Sequence, residues 1–326
     1  MKRRAFITLL GGAAAWPVTV RAQQAGMPVV GYLHPAVPEG SAQTLAAFRK
    51  GLSETGFVEG KNVRIEYRWG HNDNERLREL AADLVRHRVG VIAMPSSAPA
   101  ALAAKTATDT VPIVFSTGAD PVALGLVASL NRPGGNMTGV ITMNLELGAK
   151  RLGLLQELLP RAKQFVVLVN PTSRAAEPFS ADVKAAAAAI GRQIEVFPAS
   201  TNRDIDVAFT SFGQRQADAL LVAPDVLFTS RRIQFATLAA RYVVPALYSD
   251  RRFVEAGGLM SYGTNLGDIS RQSGVYAGRI LKGENPADLP VIRASTFELV
   301  INLQTAKVLG LEIPPMLLAR ADEVIE

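Results

Sequence analysis

The sequence predicts an α/β protein made of two doubly wound parallel-sheet (Rossmann-like) domains joined by three hinge crossovers. Three observations lead there. Short β-branched runs alternate with longer amphipathic stretches from end to end, the pattern of right-handed βαβ units. Several strand runs are apolar almost throughout, as parallel strands covered on both faces are. The pattern also restarts: Tyr32-Leu33-His34-Pro35 and Leu168-Val169-Asn170-Pro171 each run strand, polar residue, proline, then loop into a helix.

In chain order, strands are expected at Val29–Leu33, Val63–Tyr67, Val89–Ala93, Pro112–Phe115 and Gly139–Thr142, and again at Gln164–Val169, Ile194–Phe197, Ala219–Val222, Val244–Leu247, Gly258–Ser261 and Phe297–Ile301. Between them, helical periodicity marks Ala42–Thr55, Asn74–His87, Ala98–Ala107, Val122–Leu130, Leu145–Leu159, Ala176–Ile190, Ile205–Arg215, Thr229–Arg241 and Leu266–Leu281. The division near residue 143 assigns residues 28–143 with about 265–294 to a first lobe, and 144–262 with about 297–326 to a second. Hinge crossovers are expected near Met143, at Tyr262–Asn265 and near Ala294–Phe297.

Residues 1–22 read as an export signal. Lys2, Arg3 and Arg4 precede an uncharged apolar run, Ala5–Val20, too short to span a bilayer as a helix of ~20 residues. Small residues up to Ala22 suit a signal peptidase, and Arg3-Arg4-Ala5-Phe6-Ile7 is twin-arginine-like. A buried N-terminal helix would need a polar face that this run lacks. Removing the signal changes the charge argument. Of 35 basic residues four leave with it, so 31 face 29 acidic ones, and little is left to propose nucleic-acid binding.

The chain has no cysteine, which excludes disulfides, thiolate metal sites, a cysteine nucleophile and a lipidated cysteine anchor. The mature protein is expected to be soluble, periplasmic, untethered and monomeric. His34, His71 and His87 have no metal-site spacing, and no cofactor is expected. The sequence carries no phosphate loop, G-x-G-x-x-G, G-x-S-x-G elbow or H-E-x-x-H, which lowers the case for an enzyme.

Open parallel sheets bind ligands beyond the carboxyl ends of their strands. The residues placed there are His34, Pro35, Ser96, Ser97, Thr117, Gly118 and Asp120 in the first domain. In the second they are Asn170, Thr172, Ser173, Asp225, Tyr248 and Asp250, with Tyr262 at the presumed hinge. Ser96 and Ser97 end a strand and open a helix, so hydroxyls and free N–H groups there suit an anion such as a carboxylate; Thr172 and Ser173 could do the same from the opposite wall. Asp120 and Asp225 suit an ammonium group, and Tyr248 or Tyr262 a flat apolar wall. An amino acid fits that mixture. The same serines and threonines are good helix caps with or without a ligand, and Asp120, before Pro121, suits a turn.

Two long runs carry a family resemblance: Gly51-Leu52-Ser53-Glu54-Thr55-Gly56-Phe57-Val58-Glu59-Gly60-Lys61-Asn62-Val63 with Ile65-Glu66-Tyr67-Arg68-Trp69, and Phe297-Glu298-Leu299-Val300-Ile301-Asn302-Leu303-Gln304-Thr305-Ala306-Lys307. Pro112-Ile113-Val114-Phe115, Asp120-Pro121-Val122, Leu130–Gly139 and Leu168–Pro171 continue it. With these runs the chain resembles the ABC-transporter substrate-binding family that includes tryptophan- and other aromatic amino-acid-binding members. The resemblance implies the type I periplasmic binding fold, capture of a small molecule by hinge closure, and an inner-membrane permease and ATPase as partners. An exported hydrolase or isomerase, and a ligand-sensing module for a membrane receptor, are the alternatives.

Overall fold

The computed structural model of the chain describes residues 26–38, 41–71, 73–95, 97–215 and 217–326. The expected export signal and the candidate site residue Ser96 lie outside the described residues.

The first sheet is built from β1 (Val29–His34), β2 (Arg64–Trp69), β3 (Val91–Met94), β4 (Ile113–Thr117) and β5 (Met137–Ile141), with the two-residue β11 (Ile292–Arg293) at its edge. Its order is β11-β5-β4-β3-β1-β2, and every pair is parallel. The alternation of a strand's side chains explains its two covers. Val91 and Ala93 face α1 (Ala42–Glu54) and α10 (Leu266–Leu281), where Phe48, Leu52, Tyr276 and Ile280 close the core. Ile92 and Met94 face α2 (Arg76–Arg86) and α3 (Ala98–Ala107), through Leu77, Leu84 and the buried alanines of α3. Helices α1 and α10 approach closely because glycines line the contact. A Cβ on Gly51 would sit 1.8 Å from the Arg271 carbonyl oxygen, and one on Gly274 would sit 2.1 Å from that of Phe48.

The second sheet repeats the scheme with β6 (Gln164–Val169), β7 (Gln193–Pro198), β8 (Ala219–Val222), β9 (Ala246–Tyr248) and β10 (Met260–Thr264), extended by β12 (Phe297–Asn302) and β13 (Glu323–Ile325). Its order is β13-β12-β10-β9-β8-β6-β7. One pair, β10 with β12, is antiparallel, because the chain returns to this sheet running the other way. Val167, Val169 and Leu221 pack on α4 (Gly148–Leu158) and α5 (Ala176–Ala189). Val166, Leu168 and Leu220 pack on a phenylalanine-rich layer from α6 (Asn202–Arg215) and α8 (Arg232–Arg241), with Phe209, Phe212 and Phe235 fully buried.

Strand order 2-1-3-4-5 occurs in both halves, so each sheet has a switch point beside its first strand. The chain crosses between sheets three times: from β5 to α4, from β10 to α10 at Asn265, and from β11 to β12. Two α/β sheets joined by three crossovers are therefore present, as the sequence predicts.

Some elements differ. Val122–Leu130 is not a helix but a series of turns. Gly125, at φ +67, takes a left-handed conformation inside it, and the Leu126 N–H reaches back to the Pro121 carbonyl. The helix expected over Thr229–Arg241 starts at Asp225 and breaks at Arg231, giving α7 (Val226–Ser230) and α8. Among the described residues no helix is long and apolar enough to cross a membrane.

Candidate functional site

The two switch points set the rims of the candidate site. In the first sheet the rim begins at His34, the last residue of β1. Its Nδ1 accepts the Ala36 N–H at 3.1 Å, so the ring proton belongs on Nε2. The imidazole stacks parallel to Tyr32 (6.0 Å, 3°) and leans on Trp69, the last residue of β2 (5.2 Å). Tyr67 stacks on Trp69 in turn. Burial lowers the His34 pKa to about 4, with the positive charge of Arg252 from the second sheet acting the same way. At neutral pH the His34–Trp69 side of this rim is aromatic and uncharged.

The other first-sheet candidates are largely occupied by local structure. Ser97 is buried; its hydroxyl accepts the Ala100 N–H at 3.1 Å and its own N–H donates to the Ser116 carbonyl at 3.0 Å. Pro99 in the first turn of α3 has no N–H, and the other serine of the carboxylate cradle expected there, Ser96, lies outside the described residues. Thr117 is buried and its hydroxyl accepts the Ala119 N–H. Gly118 is exposed, and a Cβ there would lie 3.0 Å from the Thr142 hydroxyl. Asp120 is exposed and receives the N–H groups of Val122 and Ala123, closing the turn. Pro35 is half-buried beside His34.

The second rim is polar. Asn170, just past β6, donates through Nδ2 to Asp225 at 3.2 Å, while its Oδ1 accepts from the N–H and hydroxyl of Thr172. Asp225 caps α7 through the Leu227 N–H at 2.8 Å. Asn170, Ser173 and Asp225 line a small hollow floored by Leu145, Val169 and Phe179. Beyond β9, Asp250 caps α9 (Arg251–Glu255) through the Arg252 N–H and grips the Arg252 guanidinium at Nε (2.8 Å) and at NH2. Burial pushes the Asp250 carboxyl up, but Arg252, with Arg232 adding to it, outweighs that and holds it below the usual range.

Tyr248 does not face this rim. It is fully buried, stacked 4.4 Å from Phe253 in the aromatic layer, so the flat wall expected of it belongs to the core. Residues that sequence reasoning missed are Trp69 and Arg252. Trp69 closes a strand that runs past its expected end at Tyr67. Arg252 sits two residues after Asp250, in a five-residue helix too short to show periodicity.

Tyr262 lies at a crossing, half-buried, with its ring 6.2 Å from Phe297. Here the fully buried Arg151 of α4 ties two crossings together. Its Nε donates to the Tyr262 carbonyl at 2.7 Å and its NH2 to the Asn144 carbonyl at 2.6 Å. The Thr264 N–H donates to Asn144 Oδ1 at 2.8 Å, and the Met143 N–H to the Thr264 hydroxyl at 3.1 Å. Burial lowers the Arg151 guanidinium to about 9, still charged at neutral pH. The third crossing is tied through Asn265, whose N–H donates to the Thr296 carbonyl and whose Nδ2 donates to Glu298. No group of histidines and acids suited to a metal ion occurs among the described residues.

Comparison with known proteins agrees with this architecture. The family model described as ABC transporter substrate binding protein matches residues 34–325. A tyrosine-binding protein from Clostridioides difficile (strain R20291) is 29% identical over 266 residues, 81% of this chain and 76% of its own. Among solved structures, an ABC domain in complex with L-Trp from Streptococcus pneumonia aligns with a TM-score of 0.78 at 27% identity, covering 91% of this chain and 99% of the other. The ligand-free, open structure of a substrate binding protein with adhesive properties from Clostridium difficile aligns with a TM-score of 0.74 at 26% identity, with the same coverage.

Proposed function

Since the chain belongs to the ABC transporter substrate binding protein family, we propose that it captures an aromatic amino acid between the strand ends of its two sheets. On this reading it hands that cargo to an inner-membrane permease and its ATPase. The observation that carries the reading is the contrast between the rims: rings at His34 and Trp69 on one side, and charged groups at Asp225, Asp250 and Arg252 on the other. An aromatic amino acid has one apolar plane and two opposite charges, and each finds a partner there. The relatives named for tyrosine and solved with L-Trp support the same ligand class.

The lobes in this reading are residues 28–143 with about 265–294, and 144–262 with about 297–326. The crossings between them act as hinges. A ligand touching both rims favours the closed arrangement by its differential affinity, and the permease distinguishes closed from open. Export through the N-terminal signal places the chain in the periplasm as a free monomer. Isothermal titration with L-tryptophan, L-tyrosine and L-leucine tests the proposal. One-to-one binding of an aromatic member, with leucine much weaker and no turnover of the bound compound, is expected. Preference for leucine, or chemical conversion of the ligand, would overturn it.

A further inference from the structure

We infer that Arg252, braced by Asp250 and faced by His34, receives the carboxylate of the bound amino acid; this rests on the aromatic amino-acid reading above.

The guanidinium has two hydrogen-bonding edges. Asp250 takes the Nε–NH2 edge with both carboxylate oxygens, which fixes the plane of the group and leaves the NH1–NH2 edge. NH1 has no acceptor among the described residues. The Arg252 side chain keeps 44% of its surface, while its brace, Asp250, keeps 8%. Against the opposing effect of burial, Asp250 holds the Arg252 guanidinium above its ordinary range, so the group stays charged. Arg232 adds a second positive charge close enough to lower the Asp250 carboxyl beside Arg252.

His34 supplies the second donor. Its Nδ1 is occupied by the Ala36 N–H, so Nε2–H is free to donate and meets no acceptor among the described residues. His34 ends β1 of the first sheet and Arg252 follows β9 of the second, so both stand at the carboxyl ends of their sheets, and the Arg252 charge acts on the imidazole. An anion between the two would receive a forked pair from one wall and a neutral N–H from the other. A carboxylate held by both walls couples its binding to closure. The alternative cradle is weak: the Ser97 hydroxyl is spent on the α3 cap, the Ser97 N–H on the Ser116 carbonyl, and Pro99 has no N–H to give.

The test measures calorimetric affinity for L-tyrosine and L-tryptophan, their decarboxylated amines tyramine and tryptamine, and their deaminated acids, in wild type, Arg252→Gln, Arg252→Lys and His34→Gln. Arg252→Gln takes the ion pair from the nearly buried Asp250, so its melting temperature is read beside that of Arg252→Lys, which keeps a charge there. Affinities are compared only where the variant is folded. Arg252→Gln is expected to weaken the amino acids roughly 10- to 100-fold, as loss of a charge-assisted pair does, and to leave the amines unchanged. Arg252→Lys should fall between, because the charge stays and the fork goes. Unchanged amino-acid affinity in Arg252→Gln, or equal weakening of acids and amines, overturns the inference while the function reading stands. If wild type binds a deaminated acid through Arg252 but neither amino acid, the function reading falls and the carboxylate subsite stands. If wild type binds none of these compounds, both fall.

Discussion

At the carboxyl ends of β1 and β2 the first sheet presents rings, and beyond β8 and β9 the second presents charges. Both sheets share the order 2-1-3-4-5 for their first five strands, and both place a polar residue and a proline at the end of the first strand, at His34-Pro35 and Asn170-Pro171. Their surroundings diverge. His34 is held among Tyr32, Tyr67 and Trp69 and stays neutral, whereas Asn170 joins Asp225, and the nearby Asp250 is paired with Arg252. One scaffold used twice thus yields two unlike walls, and a ligand with an apolar plane and opposite charges needs both. The two walls differ at residues that end a strand or follow it, while the strand interiors of both sheets are buried.

The largest expected effect lies at the crossings between the walls. Arg151→Met removes the guanidinium that holds the Tyr262 and Asn144 carbonyls and leaves them buried without a donor. Destabilisation of about 2–4 kcal/mol is expected in urea unfolding, and a variant as stable as wild type would show that the crossings hold themselves. Next, Trp69→Ala strips the first rim of its outermost ring. Aromatic amino acids should bind about tenfold or more weakly by calorimetry, with leucine little changed; equal losses for both would mean Trp69 shapes the rim without touching the ligand.

On the second rim, Asp225→Asn keeps the cap on the Leu227 N–H but removes the charge. Affinity for the amino acids should fall several-fold, and that for their deaminated acids should not, which separates an ammonium partner from a helix cap. A separate expectation concerns stability against pH. His34 takes up its proton near 6.5 when unfolded and near 4 when folded, so the unfolded state gains as pH falls through that window. Denaturation midpoints should decline between pH 6.5 and 4, and His34→Gln should flatten the decline; an identical slope in the variant would remove His34 as its cause.

Much of this contrast is hidden in the sequence. The alternating runs and their restart after residue 143 are enough to give two doubly wound sheets, because apolar strands and amphipathic helices are long-range signals. The turns at Val122–Leu130 mimic a helix in composition, and only the left-handed Gly125 breaks the period. Strands β11 and β13, of two and three residues, exist through pairing with β5 and β12 and have no pattern of their own. His34, Asn170, Asp225 and Asp250 are legible because strand ends are predictable places. Trp69 and Arg252 are not, since their position depends on where a strand stops and on a side-chain grip between neighbours. Tyr248 misleads for a related reason: whether the last residue of a strand points into the core or out of it is decided by register, which one sequence does not display.

Small-angle X-ray scattering of the protein titrated with L-tryptophan and L-tyrosine tests most directly whether the unlike walls meet around a ligand. The radius of gyration should fall with the same midpoint as calorimetric binding. Superimposable profiles at saturation, with binding confirmed, would contradict closure of the two sheets on an amino acid.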